Sequence, residues 1–131
     1  MLILADTSAW VEYLRGTGSP THLRLRQAIE SEQVVVTDPV MYELTRGARA
    51  GDEEVLLRLL GEQEQRSVAP FLDWVDAARV WRHCRSRGAP IRSGLDCLIA
   101  AVAIRTGLPV LHLDRDYDAI ASCTPLRVVK A

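Results

Sequence analysis

Four short runs of apolar and β-branched residues recur along the chain and predict buried strands. They lie at residues 2–5, 34–37, 109–113 and 126–129, with a weaker candidate at 66–69. Most of these runs are apolar on both faces, which is typical of parallel strands covered by helices on both sides. The pattern therefore predicts a central, mostly parallel sheet of four to five strands.

Segments with helical periodicity separate the predicted strands. They lie at residues 7–15, 20–31, 38–48, 52–64, 70–87 and 93–106. The segment from 70 to 87 carries apolar side chains on one helical face, at Phe71, Trp74, Val75, Ala78 and Trp81. This alternation indicates an α/β sandwich with right-handed crossovers, and we expect residues 1–131 to form a single domain.

Composition supports one globular domain. The 131 residues are 48% hydrophobic and 25% charged, which argues against a disordered or low-complexity chain. The net charge of −1 and the pI of about 6.3 argue against a strongly basic nucleic-acid coat protein, but they are compatible with a local basic face. All of the 16 basic residues except Lys130 are arginine, the better bidentate phosphate ligand.

The cysteines and the N-terminal residues indicate the cellular compartment of the protein. Cys84, Cys97 and Cys123 are far apart, odd in number and in no CxxC pair, so they indicate neither a disulfide scaffold nor a cysteine zinc site. The N-terminal apolar run has no basic region and stops at Asp6, unlike a signal peptide. The longest apolar stretch, residues 98–104, is too short to cross a membrane. We therefore expect a soluble cytoplasmic protein.

Acidic residues stand where predicted strands end. Asp6 directly follows the first strand, and Asp114 follows the strand at 109–113, with Asp116 two positions later. Glu43 lies about one turn into the helix after the second strand, and Asp96 lies at the start of the helix at 93–106. Because the carboxyl ends of parallel strands meet at one edge of a sheet, the fold should gather these acids into one cluster.

A cluster of carboxylates with no nearby lysine predicts a bound cation. Like charges in a shared site raise each other's pKa and destabilise the fold, and a hard divalent cation removes that cost. Mg²⁺ and Mn²⁺ prefer oxygen ligands, often bind phosphate oxygens as well, and can assist phosphodiester hydrolysis. The candidate phosphate contacts are Arg46, Arg49, Arg87, Arg92 and Arg115.

Several acids also have a structural interpretation that stays open at this point. Asp6 can cap the following helix, and Asp38 can be the N-cap before Pro39. The stretch Ser93-Gly94-Leu95-Asp96 matches a capping box. Capping and metal ligation are compatible, because both require the residue at the mouth of the sheet.

Four acid motifs, in order and over essentially the whole chain, resemble those of the PIN-domain ribonucleases. The stretches similar to the family's successive motifs are Asp6-Thr7-Ser8-Ala9, Val40-Met41-Tyr42-Glu43-Leu44, Leu95-Asp96-Cys97-Leu98-Ile99-Ala100-Ala101 and Leu113-Asp114-Arg115-Asp116-Tyr117. The small size of the chain resembles that of the VapC-type toxins of bacterial toxin–antitoxin pairs. The resemblance implies a PIN-like three-layer α/β sandwich.

The same resemblance implies an activity, a cofactor and partners. It implies an endoribonuclease that depends on Mg²⁺ or Mn²⁺, is held inactive by a VapB-type antitoxin, and commonly forms a homodimer and higher toxin–antitoxin complexes. The residues that carry over as metal-binding catalytic acids are Asp6, Glu43, Asp96 and Asp114. Asp116 carries over as a ligand or the neighbour of one, and Thr7 or Ser8 would bind a water or a phosphate.

Two rival interpretations come from different classes of protein. An aspartyl-phosphate phosphatase would place a second acid two residues after Asp6, where this sequence has Ser8. A PIN-like module that only binds RNA or a partner would not need the intact acids. Both rivals are therefore less favoured than a nuclease.

The first two predicted helices carry more apolar bulk than one side of a small sheet needs. Their large apolar side chains either belong to the core or present a groove to a partner. The residues in question are Trp10, Tyr13, Leu14, Leu23 and Leu25.

Overall fold

The sheet of the computed structural model, which describes all residues 1–131, has five parallel strands. They are β1 (Ile3–Ala5), β2 (Val34–Val36), β3 (Glu64–Gln65), β4 (Val110–Leu111) and β5 (Val128–Val129), in the order β3-β2-β1-β4-β5. In the central strand β1, Leu4 pairs with Val35 on one side and Val110 on the other. All three residues of β1 are fully buried, as expected for a parallel sheet covered on both faces.

Seven helices surround the sheet in two groups. They are α1 (Thr7–Arg15), α2 (Pro20–Glu30), α3 (Asp38–Gly47), α4 (Glu53–Gly61), α5 (Leu72–Ser86), α6 (Gly94–Thr106) and α7 (Arg115–Cys123). Helix α1 packs on α2 and α3, and α3 on α4, while α5, α6 and α7 pack on one another. With right-handed crossovers, the strand order places the two groups on opposite faces, which gives the expected α/β sandwich. None of the helices is long and apolar enough to span a bilayer.

The third strand lies two residues earlier than its sequence candidate. Strand β3 covers Glu64–Gln65 rather than 66–69, and both of its residues are exposed. The N–H of Arg66 continues the ladder and donates to the Val36 carbonyl at 3.0 Å. No hydrophobic pattern marks such an exposed edge strand. Helix α7 is also missing from the prediction, because its first turn is mostly polar.

Two predicted capping interactions do not form. Thr37, not Asp38, is the N-cap of α3. Asp38 instead accepts a hydrogen bond from the N–H of Val68 at 3.0 Å. Ser93 is the N-cap of α6, but its side chain makes no capping hydrogen bond, so the capping box with Asp96 does not form. The Asp96 carboxyl therefore has no capping role.

The aromatic face predicted for α5 points away from the core. Phe71 and Trp74 are 82% and 58% exposed, whereas Asp73 is fully buried on the opposite side. Asp73 accepts hydrogen bonds from Arg105 at 2.9 Å and from the N–H of Ala69 at 2.7 Å. Burial opposes ionisation of Asp73, but these hydrogen bonds hold its pKa below the usual value. An ion pair thus occupies the place where the periodicity predicted apolar packing.

Candidate active site

The two central strands bring Asp6 and Asp114 to the same edge of the sheet. Asp6 directly follows β1, and its N–H donates to the Leu111 carbonyl of β4 at 2.9 Å. Asp114 follows three residues after the end of β4. The carboxyl edge of the parallel sheet therefore carries the first and fourth acids, as the sequence predicts.

Both of these acids also cap helices. The Oδ2 atom of Asp6 accepts hydrogen bonds from the N–H and the hydroxyl of Ser8, at 3.0 and 2.6 Å, and so caps α1. The Oδ1 atom of Asp114 accepts from the N–H of Asp116 at 2.9 Å and so caps α7. In each case one carboxylate oxygen makes the cap, so capping fixes the orientation of the side chain at the sheet edge.

Thr7 and Ser8 hold neighbouring parts of the site together. The Ser8 hydroxyl donates to Asp6 and accepts from the N–H of Leu113 at 2.9 Å, which joins the ends of β1 and β4. The Thr7 hydroxyl donates to Oε1 of Glu43 at 2.7 Å. This bond brings the half-buried Glu43 of α3 to the N-terminus of α1. The two hydroxyls therefore position acids.

Tyr117 lies at the centre of the site, although no periodic sequence pattern marks it as a functional residue. Its side chain is fully buried. Its hydroxyl donates to Oδ1 of Asp6 at 2.7 Å and lies 3.4 Å from Oδ1 of Asp96. Burial and the nearby carboxylates raise the pKa of this hydroxyl well above its usual value, so it remains a proton donor. The sequence signal for it is its place at the end of the fourth acid motif, three residues after Asp114.

Asp96, Asp114 and Asp116 form a cluster whose geometry fits a cation. One carboxylate oxygen from each residue lies within 4.8 Å of the other two. The Oδ2 atom of Asp96 is buried and has no hydrogen-bond partner. A buried acceptor without a partner is costly. A hard divalent cation binds carboxylate oxygens and would supply the missing partner.

Burial and four neighbouring acids raise the pKa of Asp96 from 3.8 to about 8. The neighbours that contribute, in order of effect, are Asp6, Asp114, Asp116 and Glu43. All five acids singled out in the sequence therefore interact at one place. Near neutral pH and without a metal, Asp96 is mostly protonated, and a cation that binds there must displace this proton.

Among the candidate phosphate contacts, Arg92 touches the cluster. Its backbone N–H and its Nε donate to the two oxygens of Asp116, both at 3.2 Å, and its Nη2 donates to Asp114 at 3.2 Å. The guanidinium of Arg46 instead lies over the Tyr42 ring, 5.2 Å from its centroid. The remaining candidates are exposed and make no hydrogen bond to the cluster: Arg49, Arg87 and Arg115.

A groove of about 930 Å³ begins beside the cluster, between α5 and the start of α6. Arg92 lines it together with Trp74, Trp81, Arg82 and Leu95. The stretch from 77 to 95 contains five arginines and no acidic residue. The walls of the groove thus combine exposed aromatic rings with positive charge.

The thermal stability of the metal-free protein should fall as the pH rises from about 4 to about 8. The pKa of Asp96 is higher in the folded state, so in this window the folded protein holds a proton that the unfolded chain has released. The stabilising contribution of the protonated carboxyl is complete below this window and is lost above it. Melting in EDTA at several pH values measures the slope. Asp96→Asn should remove most of it, and an unchanged slope in that variant would assign the effect to other groups.

The molecule is thus a parallel α/β sandwich with a cluster of acids at the carboxyl edge of its sheet, where one buried carboxylate oxygen has no hydrogen-bond partner. The chain belongs to the PIN-domain family, because the sequence model of that family matches residues 3–122. Within the family it belongs to the VapC ribonucleases. It is 39% identical over 129 residues to VapC ribonuclease Mb1587 of Mycobacterium bovis and to Ribonuclease VapC11 of Mycobacterium tuberculosis. The matches cover 96% of this chain and 96% of each relative.

Solved structures confirm the fold. A chain of VapBC2 from Rickettsia felis, crystallised with a DNA fragment from its promoter, superposes with a TM-score of 0.74 at 15% identity, over 98% of both chains. VapC20 of Mycobacterium tuberculosis, described as a toxin that cleaves the sarcin–ricin loop, superposes with a TM-score of 0.62 at 22% identity. That match covers 95% of this chain and 98% of the other.

Proposed function

We propose that the protein is a metal-dependent endoribonuclease that acts as the toxin of a toxin–antitoxin pair. The observation that carries the proposal is Oδ2 of Asp96, a buried carboxylate oxygen without a partner beside two further carboxylates. The relatives from the two Mycobacterium species are named ribonucleases, which supports RNA as the substrate.

The residues that would hold Mg²⁺ or Mn²⁺ are Asp96, Asp114 and Asp116, with Asp6 and Glu43 beside them. All of the donors are carboxylate oxygens, a set that suits these hard cations better than zinc or copper. When bound, such a cation stabilises charge on phosphoryl oxygens and lowers the pKa of a water that attacks phosphorus.

The protein's own side chains would prepare the site for this chemistry. Tyr117 holds Asp6, and Thr7 holds Glu43, each through a hydrogen bond of 2.7 Å. Arg92, with 58% of its side chain exposed, stands between the cluster and the groove, where it could meet a phosphate. The exposed ring of Trp74 offers a face on which an unpaired base could stack, whereas the guanidinium of Arg85 lies over the Trp81 ring, 5.1 Å from its centroid.

A VapB-type antitoxin is the partner that we propose for the surface formed by α1 and α2. Leu14 and Leu23 are 46% and 48% exposed there, whereas Trp10 and Leu25 are fully buried. The groove predicted from the sequence is therefore smaller, since Trp10 and Leu25 belong to the core. The fold shared with the Rickettsia felis VapBC2 complex supports such a partner. Homodimerisation and higher toxin–antitoxin assembly remain predictions.

The purified protein should cleave RNA in the presence of Mg²⁺ or Mn²⁺, and EDTA should abolish the cleavage. Cleavage should fall in unpaired loops, because a duplex hides its bases. An end-labelled hairpin RNA measures both the rate and the position of cleavage. The control variant Asp118→Asn changes an acid outside the cluster that is 68% exposed and lies 3.4 Å from Nε2 of His112, a contact that the amide oxygen of asparagine can keep, so the rate should be unchanged.

Three outcomes would contradict this assignment. Undiminished cleavage in EDTA would exclude the metal dependence. RNA binding without cleavage in any divalent metal would favour a binding module. Hydrolysis of small phosphate monoesters in place of RNA would favour a phosphatase.

A further inference from the structure

Two thiols on different helices meet inside the fold. Cys84 in α5 and Cys123 at the end of α7 are 39 residues apart in the chain, and their Sγ atoms are 2.8 Å apart. Cys84 is fully buried, whereas Cys123 is half-buried. Cys123 is therefore the more accessible of the two residues, and Cys84 is the thiol in contact with it.

We propose that Cys84 and Cys123 are a reversible oxidation site, which forms an intramolecular disulfide on exposure to a peroxide. The Cys123 thiolate attacks a peroxide oxygen, so that an S–O bond forms, the O–O bond breaks and hydroxide leaves. The Cys84 thiol then attacks the oxidised sulfur, so that the S–S bond forms, the S–O bond breaks and the departing hydroxide takes the Cys84 proton. Two thiols are oxidised to one disulfide while one hydrogen peroxide is reduced to two waters.

Their surroundings give the two cysteines different roles. Burial, reinforced by the hydrogen bond with Cys123, raises the pKa of the Cys84 thiol to about 12. Cys84 is therefore not the first thiol to react, and its contact with Cys123 makes it the resolving one. The third cysteine, Cys97, is buried and forms no hydrogen bond with either thiol, so it serves as an internal control.

The disulfide would constrain the part of the chain that carries most of the acid cluster. Arg92, Asp96, Asp114 and Asp116 all lie between the two crosslinked residues. A crosslink that closes a loop reduces the conformational freedom of the unfolded chain. For this loop, the melting temperature should rise by on the order of 10 °C.

Treatment of the reduced protein with stoichiometric hydrogen peroxide tests the proposal. The intact mass should fall by two hydrogens, peptide mapping should find Cys84 linked to Cys123, and the melting temperature should rise until dithiothreitol reverses all three changes. The matched control Cys97→Ser should still crosslink. Cys123→Ser replaces a half-buried residue and should fold but not crosslink. In Cys84→Ser, Cys123 should stop at a sulfenic acid that dimedone traps.

Peptide mapping of the peroxide-treated, folded wild-type protein tests the proposed disulfide without any variant. A disulfide between two protein molecules, a link to Cys97, or a sulfinic acid at Cys123 with no link to Cys84 would each overturn the proposal. A crosslink that leaves the melting temperature unchanged would overturn the inferred constraint on the chain. None of these readouts depends on ribonuclease activity.

Discussion

Replacing Asp96 by asparagine should reduce the rate of RNA cleavage in Mg²⁺ by about a hundredfold or more. The substitution removes a carboxylate ligand of the metal, and a bound metal stabilises the transition state by several kcal/mol. The side chain keeps its size and stays beside the Tyr117 hydroxyl, which lies 3.4 Å from Asp96 in the wild type. The loss of activity should therefore not come from loss of shape. End-labelled RNA at saturating Mg²⁺ measures the rate.

The same substitution should stabilise the metal-free protein. At pH 8 the wild-type carboxyl is about half ionised in a buried cluster of acids. A neutral amide avoids that repulsion. After a discount for water that enters the open cleft, the gain should be about 1–3 kcal/mol, or roughly 4–10 °C in melting temperature. The gain should vanish near pH 4, where both side chains are neutral. Mg²⁺ should raise the melting temperature of the wild type more than that of the variant.

Thermal melts of both proteins, with and without Mg²⁺, separate two roles of Asp96. Asp118→Asn is again the matched control and should change neither melting temperature nor cleavage appreciably. If Asp96→Asn melts lower than the wild type in EDTA at pH 8, the carboxyl supports the local fold of α6, and its assignment as a cation ligand would have to be withdrawn.

The position of the acids follows from the sequence because it depends on connectivity. Once residues 2–5 and 109–113 are assigned as parallel strands, Asp6 and Asp114 must come out at one edge of the sheet. Glu43 lies one turn into the helix after the second strand, so the sequence places it near this edge, and the resemblance to the PIN-domain ribonucleases assigns it as a metal-binding acid. Thr7 contacts Glu43 across 36 residues of sequence, and a pattern of single residues does not encode that pairing.

The rest of the fold and site depends on which face of each element is covered. Periodicity shows that Phe71 and Trp74 share a face of α5, but it does not show that this face is exposed. That outcome depends on Asp73, whose ion pair with Arg105 spans 32 residues of sequence and occupies the core side. The burial of Tyr117 does not follow from periodicity for a related reason, because a single tyrosine in a polar turn has no periodic partner.

Replacing Arg92 by alanine should tighten Mg²⁺ binding while it slows RNA cleavage. The guanidinium donates hydrogen bonds to Asp114 and Asp116, two of the acids whose carboxylate oxygens a cation would bind. Its removal takes away a competing positive charge. Because more than half of the Arg92 side chain is exposed, water screens this competition, and the affinity should rise by about three- to tenfold. Titration calorimetry with Mg²⁺, or the spin resonance of Mn²⁺, measures it.

The opposite signs of the two effects separate two roles of Arg92. If it acts only as a placeholder for the cation, Arg92→Ala should bind metal more tightly and cleave RNA at the wild-type rate once metal is saturating. If it also contacts a substrate phosphate, cleavage should stay several-fold slower at saturating metal. Arg87→Ala removes an equal charge from the same loop without touching the cluster, so it controls for the general electrostatic change. Weaker metal binding in Arg92→Ala would contradict competition and would show that Arg92 instead holds Asp114 and Asp116 in the geometry that binds the cation.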